Sequence, residues 1–140
     1  MGKDLLVLSF SARVENIRVA RSCIRTFLGL KKVDEDEIFK IELALNEAIA
    51  NIIEHTYKYD DSKYITMTVR LTDNDLHIML RDFGPKVDPS KVRSRPLDEI
   101  KEGGLGVYII QSTMDEFRFD ETVKNGNLLH LKKKLNLHVS

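Results

Sequence analysis

The chain has 140 residues, 22 basic against 22 acidic side chains, and an apolar share of 42%. That length suits one domain, spanning 1–140, with one core. The balanced charge argues against direct nucleic-acid binding, which calls for a basic face. No apolar run approaches membrane-spanning length, and the opening MGKDLLVLSFSARVEN fits neither a signal peptide nor a myristoylation signal. A soluble, cytoplasmic protein with no membrane partner is therefore expected. Cys23 is the single cysteine, which excludes an internal disulfide or a cysteine zinc site and reads as a small core residue.

The first predicted element is a strand over Leu5–Phe10, with Ser11 as the N-cap of a helix after it. Ile17, Ala20, Ile24, Phe27 and Leu28 then make a helical stripe, with Gly29 as its natural stop. Arg13, Arg18, Arg21 and Arg25 decorate the other sides of that helix and read mostly as a solvated face. Asp34, Glu35, Asp36 and Glu37 crowd the start of a second helix, where negative charge complements the dipole. Ile38, Ile41, Leu45, Ala48, Ile49 and Ile52 form its apolar face, and it ends near Tyr57. Glu47, Asn51 and His55 recur every fourth residue and stack on a different side.

Tyr64–Leu71 and Leu76–Leu80 alternate in polarity around Asp73-Asn74, which predicts a β-hairpin with one buried face. His77 has the opposite parity and is expected at the surface. Asp82-Phe83-Gly84-Pro85 ends the hairpin. Lys86 to Glu102 is long and polar with two more prolines, and is expected to act as a lid. Gly103-Gly104-Leu105-Gly106 opens a short buried helix through Met114. Phe117, Phe119 and Glu121 predict a strand, Lys124-Asn125-Gly126 a hairpin turn, and Leu128, Leu129 and Leu131 a last strand. Lys132 to Lys134 at its end read as a solubilising edge device. The order predicts an α+β fold: a two-layer sandwich whose mixed or antiparallel sheet is covered on one face by three helices.

Glu47 and Asn51 on a helix, Asp82 and Gly84 at a strand end, and Gly104 and Gly106 opening a helix are three polar clusters of the kind a nucleotide needs. Glycine amides at a helix N-terminus suit phosphate, because unpaired N–H groups and the dipole both face the anion. Mg²⁺ takes few protein oxygens, so one Asn carbonyl suffices. A buried carboxylate such as Asp82 suits the exocyclic amine of adenine, and Gly84 would let the base approach the backbone.

The ordered set NEAIAN, DFG and GGLG resembles the GHKL ATPase superfamily, the Bergerat fold of histidine kinases and gyrases. More closely the chain resembles the stand-alone serine-kinase anti-sigma factors. The similarity runs nearly end to end, through ENIRVAR, ELALNEAIANIIEH, LRDFG, GGLGVYIIQSTMDE and NGNLLHLKKK. The resemblance implies ATP or ADP as cofactor with Mg²⁺. It implies Glu47 as general base, Asn51 as the Mg²⁺ and nucleotide ligand, and Asp82 with Gly84 at adenine. Gly104, Leu105 and Gly106 would surround the phosphates, and Arg21 would bear on partner recognition. The implied partners are an anti-anti-sigma antagonist protein, a sigma factor and a second copy in a homodimer.

The sequence departs from that pattern in three places. DFGPK carries Lys86 where a second glycine is usual, Gly126-Asn127 stands for Gly-Thr, and Lys101-Glu102 replaces an arginine. Lys86 either reaches a phosphate or is exposed. The implied activity is serine/threonine kinase transfer to the antagonist. The alternatives are a non-catalytic nucleotide-binding regulator, a histidine-kinase-type ATPase domain, and an interaction domain without nucleotide.

Overall fold

The computed structural model of the chain describes residues 3–88 and 104–136. Five strands form one sheet in the order β1-β2-β3-β5-β4, with every neighbouring pair antiparallel. β1 is Lys3–Ser11, β2 Tyr64–Thr72, β3 Asp75–Asp82, β4 Glu116–Phe119 and β5 Asn127–Lys134. The expected mixed or antiparallel sheet resolves to the purely antiparallel form. The helices are α1 (Asn16–Leu30), α2 (Glu35–Asn51) and α3 (Gly104–Thr113), and a π-helical turn, Ile52–Thr56, continues α2.

The core follows from the two periodicities. Alternate residues Ile65, Met67, Val69 and Leu71 of β2 and Leu76, Ile78 and Leu80 of β3 are buried. They meet Ala20, Ile24 and Leu28 of α1, Ile110 of α3, and Ile38, Ile41, Leu45, Ala48 and Ile49 of α2. Each Val, Leu, Ile or Met among them contributes about 1.5–3 kcal/mol on burial. The α2 stripe is thus the spine of the helical layer, and its polar side is left for other work. Cys23 packs half-buried against the same core.

Several local expectations are corrected. Ser11 is no N-cap: it stays in β1 opposite Tyr64, and Ala12 N–H continues the ladder to the Lys63 carbonyl at 2.9 Å. The helix starts only at Asn16, whose Nδ2 donates back to the Ser11 carbonyl at 2.9 Å. Gly29 does not stop α1. Lys32 takes the left-handed position at φ 62°, and Val33 N–H closes the end on the Leu28 carbonyl at 3.3 Å.

Glu121 falls outside β4, and the β4–β5 connection spans residues 120–126 rather than a tight turn at 124–126. The reason is Asp120, whose Oδ1 accepts from both Thr122 N–H and the Thr122 hydroxyl and turns the chain early. Lys132 does not guard an edge, because it pairs with His77 of β3 on one side and Glu116 of β4 on the other; Lys133 and Lys134 run past the start of β4. Lys133 Nζ instead donates to the Thr113 carbonyl at the end of α3, at 2.9 Å.

His77 is on the face away from the helices, as its parity demands, but is half-buried: its Nε2 lies 2.8 Å from His130 Nδ1. The lid expected over 86–102 falls outside the described residues except for Lys86 to Asp88. Among the described residues no helix is long and apolar enough to cross a membrane.

Candidate functional site

The site begins where β3 ends. Asp82 has the parity of Ile78 and Leu80, so its side chain enters the helix-facing side of the sheet and is only 2% exposed. A carboxylate buried there needs donors. Gly84 N–H supplies one to Oδ1 at 3.0 Å, and Asn127 Nδ2 supplies the second to the same oxygen at 2.9 Å. Burial pushes the Asp82 carboxyl above the usual carboxylate range, against the pull of these two donors. Arg81 Nη1 donates to the backbone carbonyls of Asp82, at 2.9 Å, and Asn127, at 3.1 Å, and so holds the two strand ends together.

Gly126 makes the junction possible. Its φ is +71°, and a Cβ there would lie 2.1 Å from the Asp82 carbonyl oxygen. β5 therefore enters the sheet directly beside the end of β3, with Asn127 opposite Asp82.

The second wall comes from α2 and its π turn. π-type widening redirects side chains within a helix and is frequent at functional sites. Here it brings Ile52, His55 and Thr56 beside Asn51, the last residue of α2, on one cavity. Tyr57 comes next. Its hydroxyl accepts from Phe83 N–H at 2.8 Å and donates to the Tyr64 carbonyl at 2.6 Å. The DFG segment is thereby fixed to the helix end. A Cβ on Gly84 would lie 2.5 Å from Thr56 Cγ2, so the close approach this glycine permits is to the π turn.

These walls enclose a cavity of about 290 Å³. Asn51, His55, Thr56 and Asp82 supply its polar groups; Val87, Val107, Ile110, Phe117, Phe119 and Leu129 supply its apolar lining. A mostly apolar cleft with a few converging polar groups is the usual form of a small-molecule site. The lining suits a flat heteroaromatic ring with one amino group to offer Asp82.

Gly104, Leu105 and Gly106 form the first turn of α3. A Cβ on Gly106 would lie 2.6 Å from Glu47 Oε2, so the Glu47 carboxylate rests against that turn. Glu47 is one turn before Asn51, and the two predicted roles are neighbours on one helix.

Of the predicted site residues Asn51 and Asp82 line the cavity itself, and Lys86 and Arg21 are engaged elsewhere. Lys86 Nζ donates to the Val123 carbonyl in the β4–β5 connection. Arg21 lies on α1, with Nη1 donating to Asn46 Oδ1 at 3.2 Å and Nε 3.8 Å from Glu42 Oε1. Arg25, read as part of a solvated face, is instead bridged to Glu42 and Glu35. Sequence reasoning missed Asn127, Tyr57 and the aromatic pair of β4. For Asn127 the signal was its departure from the expected threonine in a segment otherwise matched.

The family model described as "Histidine kinase-like ATPase domain" matches residues 10–133. An anti-sigma F factor of Geobacillus stearothermophilus is 31% identical over 130 residues, spanning 90% of this chain and 89% of the relative. The anti-sigma F factor of Priestia megaterium is 31% identical over 138 residues, 95% of this chain and 94% of the relative. Among solved structures, the RsbU and RsbW domains of a Mycobacterium tuberculosis protein superpose with a TM-score of 0.69. The identity is 20%, and the match covers 98% of this chain and 35% of that one. The SiaB–SiaC complex of Pseudomonas aeruginosa gives 0.67 at 15% identity, over 94% and 88%. At those identities the solved structures bear on the fold alone. The family match and the relatives aligned along nearly their whole length carry more: the chain belongs to the histidine kinase-like ATPase domain family, a nucleotide-binding family, and is a relative of the anti-sigma F factors.

Proposed function

We propose that the chain is an ATP-binding anti-sigma factor that phosphorylates a serine or threonine of an anti-anti-sigma partner and regulates transcription by exchanging partners. The observation that carries the reading is the cavity behind Asp82: a buried carboxylate, both of whose neutral donors use one oxygen, beside an apolar cleft that ends at Asn51. The relatives named anti-sigma F factor supply the biological context.

In this reading Asp82 accepts from the adenine amino group and the apolar lining takes the ring faces. The first turn of α3 turns its N–H groups to the phosphates. The donor set fits a cation that arrives with the nucleotide. Among the described residues no group of three His, Cys, Asp or Glu side chains could hold a metal. Asn51 would give one oxygen to Mg²⁺, whose other ligands come from phosphate and water. When bound, that ion neutralises charge on the phosphates.

Glu47 is the base. A partner hydroxyl attacks the γ-phosphorus, its proton passes to the Glu47 carboxylate, and the bond to the β-phosphate oxygen breaks to release ADP. The contact of Glu47 with Gly106 supports this role, since it sets the carboxylate against the turn assigned to phosphate. Arg21, partly exposed on α1, is assigned to partner recognition.

The test is incubation with γ-labelled ATP, Mg²⁺ and a candidate antagonist domain. Label on the partner that survives acid is expected, as for a phosphoserine or phosphothreonine. Acid-labile label would overturn the serine/threonine assignment.

A further inference from the structure

We propose that Asn127 is a positioning residue of the nucleotide site and sets its discrimination between 6-amino and 6-oxo purines. The inference rests on the nucleotide reading above and deepens it.

Asn127 is the first residue of β5 and is 3% exposed. Its carboxamide makes three hydrogen bonds. Nδ2 donates to Asp82 Oδ1 at 2.9 Å and to the Pro85 carbonyl at 2.9 Å; Oδ1 accepts from Val87 N–H at 2.8 Å. This orientation is dictated by the neighbours. A flipped amide would set its oxygen against the Asp82 carboxylate and the Pro85 carbonyl, and its NH₂ against an N–H. Two donations and one acceptance at a single planar group are what a carboxamide offers and what a single hydroxyl, with one proton, does not.

The consequence reaches the ligand through Asp82. The Asn127 and Gly84 donors both take Oδ1. Asp82 lines the cavity, and Oδ2 is the oxygen these donors leave as acceptor. An exocyclic amino group satisfies that acceptor. A 6-oxo group brings a second acceptor to it and is repelled. The other two bonds act on the strap just after DFG. They tie residues 85–87 to β5, and Val87 is a wall of the cavity. One side chain therefore aims the recognition oxygen and holds the adjoining wall. The residue that departs from the resembled pattern builds the site rather than degrading it.

Calorimetric titration with ADP and GDP, on wild type, Asn127→Ala and Asn127→Thr, tests the proposal, with thermal melts to verify folding. Wild type is expected to prefer ADP by more than about tenfold, the scale of one well-made hydrogen bond in a closed site. In Asn127→Ala the ADP affinity falls by about tenfold or more and the ADP-to-GDP ratio moves toward one. Asn127→Thr keeps one donor for Asp82, and its ratio is expected between the two. A wild-type ratio in Asn127→Ala overturns the proposal. Should Asn127→Ala not fold, a wild-type ratio together with wild-type ADP affinity in Asn127→Thr overturns it instead. Absence of heat from both nucleotides with wild-type protein would remove the nucleotide reading beneath it, which is a distinguishable failure.

Discussion

Two carboxylates are buried in this molecule among its described residues, and they are satisfied in opposite ways. Glu42 on α2 is 5% exposed and is met by cations. Arg25 donates to its Oε2 through Nε, at 2.8 Å, and through Nη2, while Arg21 Nε stands 3.8 Å from Oε1. Asp82 is 2% exposed and is met by a backbone N–H and an amide, both on one oxygen. The first arrangement engages both oxygens and joins α1 to α2. Its neighbours hold the Arg25 guanidinium above its usual range, Glu42 first and Glu35 next. The second leaves charge and an acceptor facing a cavity, and burial keeps the Asp82 carboxyl above its usual range. A buried carboxylate that cations neutralise is a tie. One that neutral donors hold by a single oxygen is available to a ligand.

Glu47, a third carboxylate on the same helix as Glu42, sharpens the contrast. Its assigned work is on the reaction, so Glu47→Gln should lower the initial rate of phosphoryl transfer by about 10²–10⁴-fold. Nucleotide affinity by calorimetry should be unchanged. A matching loss of affinity would place Glu47 in binding rather than proton transfer.

Glu42→Ala should break the tie and spare the site. Removing it leaves Arg25 with Glu35 alone and Arg21 with Asn46 alone, and because the Arg25 side chain is 39% exposed the loss is moderated by solvent. About 2 kcal/mol is expected, a fall in Tm of about 6–8 °C, with ADP affinity retained. Loss of ADP binding in a folded Glu42→Ala protein would erase the distinction between the two carboxylates.

The smallest effect concerns the outer face of the sheet, where His77 meets His130 and His130 Nε2 meets Asp120 Oδ2 at 2.9 Å. Burial, and then His130 and Lys132, push the His77 imidazole down from 6.5 to about 4. A base depressed by folding takes its proton more readily when unfolded. Its contribution to stability is therefore full above pH 6.5 and is lost as pH falls toward about 4. Melts across that window should show a shallower decline for His77→Gln than for wild type. An unchanged slope would mean that other groups carry the acid sensitivity.

The fold was legible where local pattern and tertiary need agree. The α2 stripe from Ile38 to Ile52 and the hairpin around Asp73-Asn74 were both readable from their periods, because each buries one face. The motifs singled out Asp82 and Gly106; the structure buries the first and sets the second against Glu47. What could not be read depends on partners distant in sequence. Asn127 is 45 residues from Asp82, and its role exists only once β5 lies beside β3. The same holds for Lys133, an apparent edge lysine until the fold sets its Nζ on the Thr113 carbonyl. At helix ends the obstacle was different. Gly29 and Ser11 have the right chemistry for caps, but the chain placed Lys32 in the left-handed position and kept Ser11 in the sheet.

The measurement that bears most directly on Asp82 is the thermal shift produced by ADP in wild type and in Asp82→Asn. An asparagine oxygen in place of Oδ1 can accept the same two bonds from Gly84 and Asn127, so the fold should be kept. The folded-state pKa of Asp82 is raised, so its contribution favours folding below the usual carboxylate range and is lost as pH rises through the folded value. Wherever the group is ionised it opposes folding, so above its folded-state value Asp82→Asn should melt at or above the wild-type Tm. In place of Oδ2 the variant offers an NH₂ donor, which an exocyclic amine does not satisfy. ADP should therefore stabilise wild type and leave Asp82→Asn unshifted. An equal ADP shift in both proteins would contradict the assignment of Asp82 as the base-recognition residue.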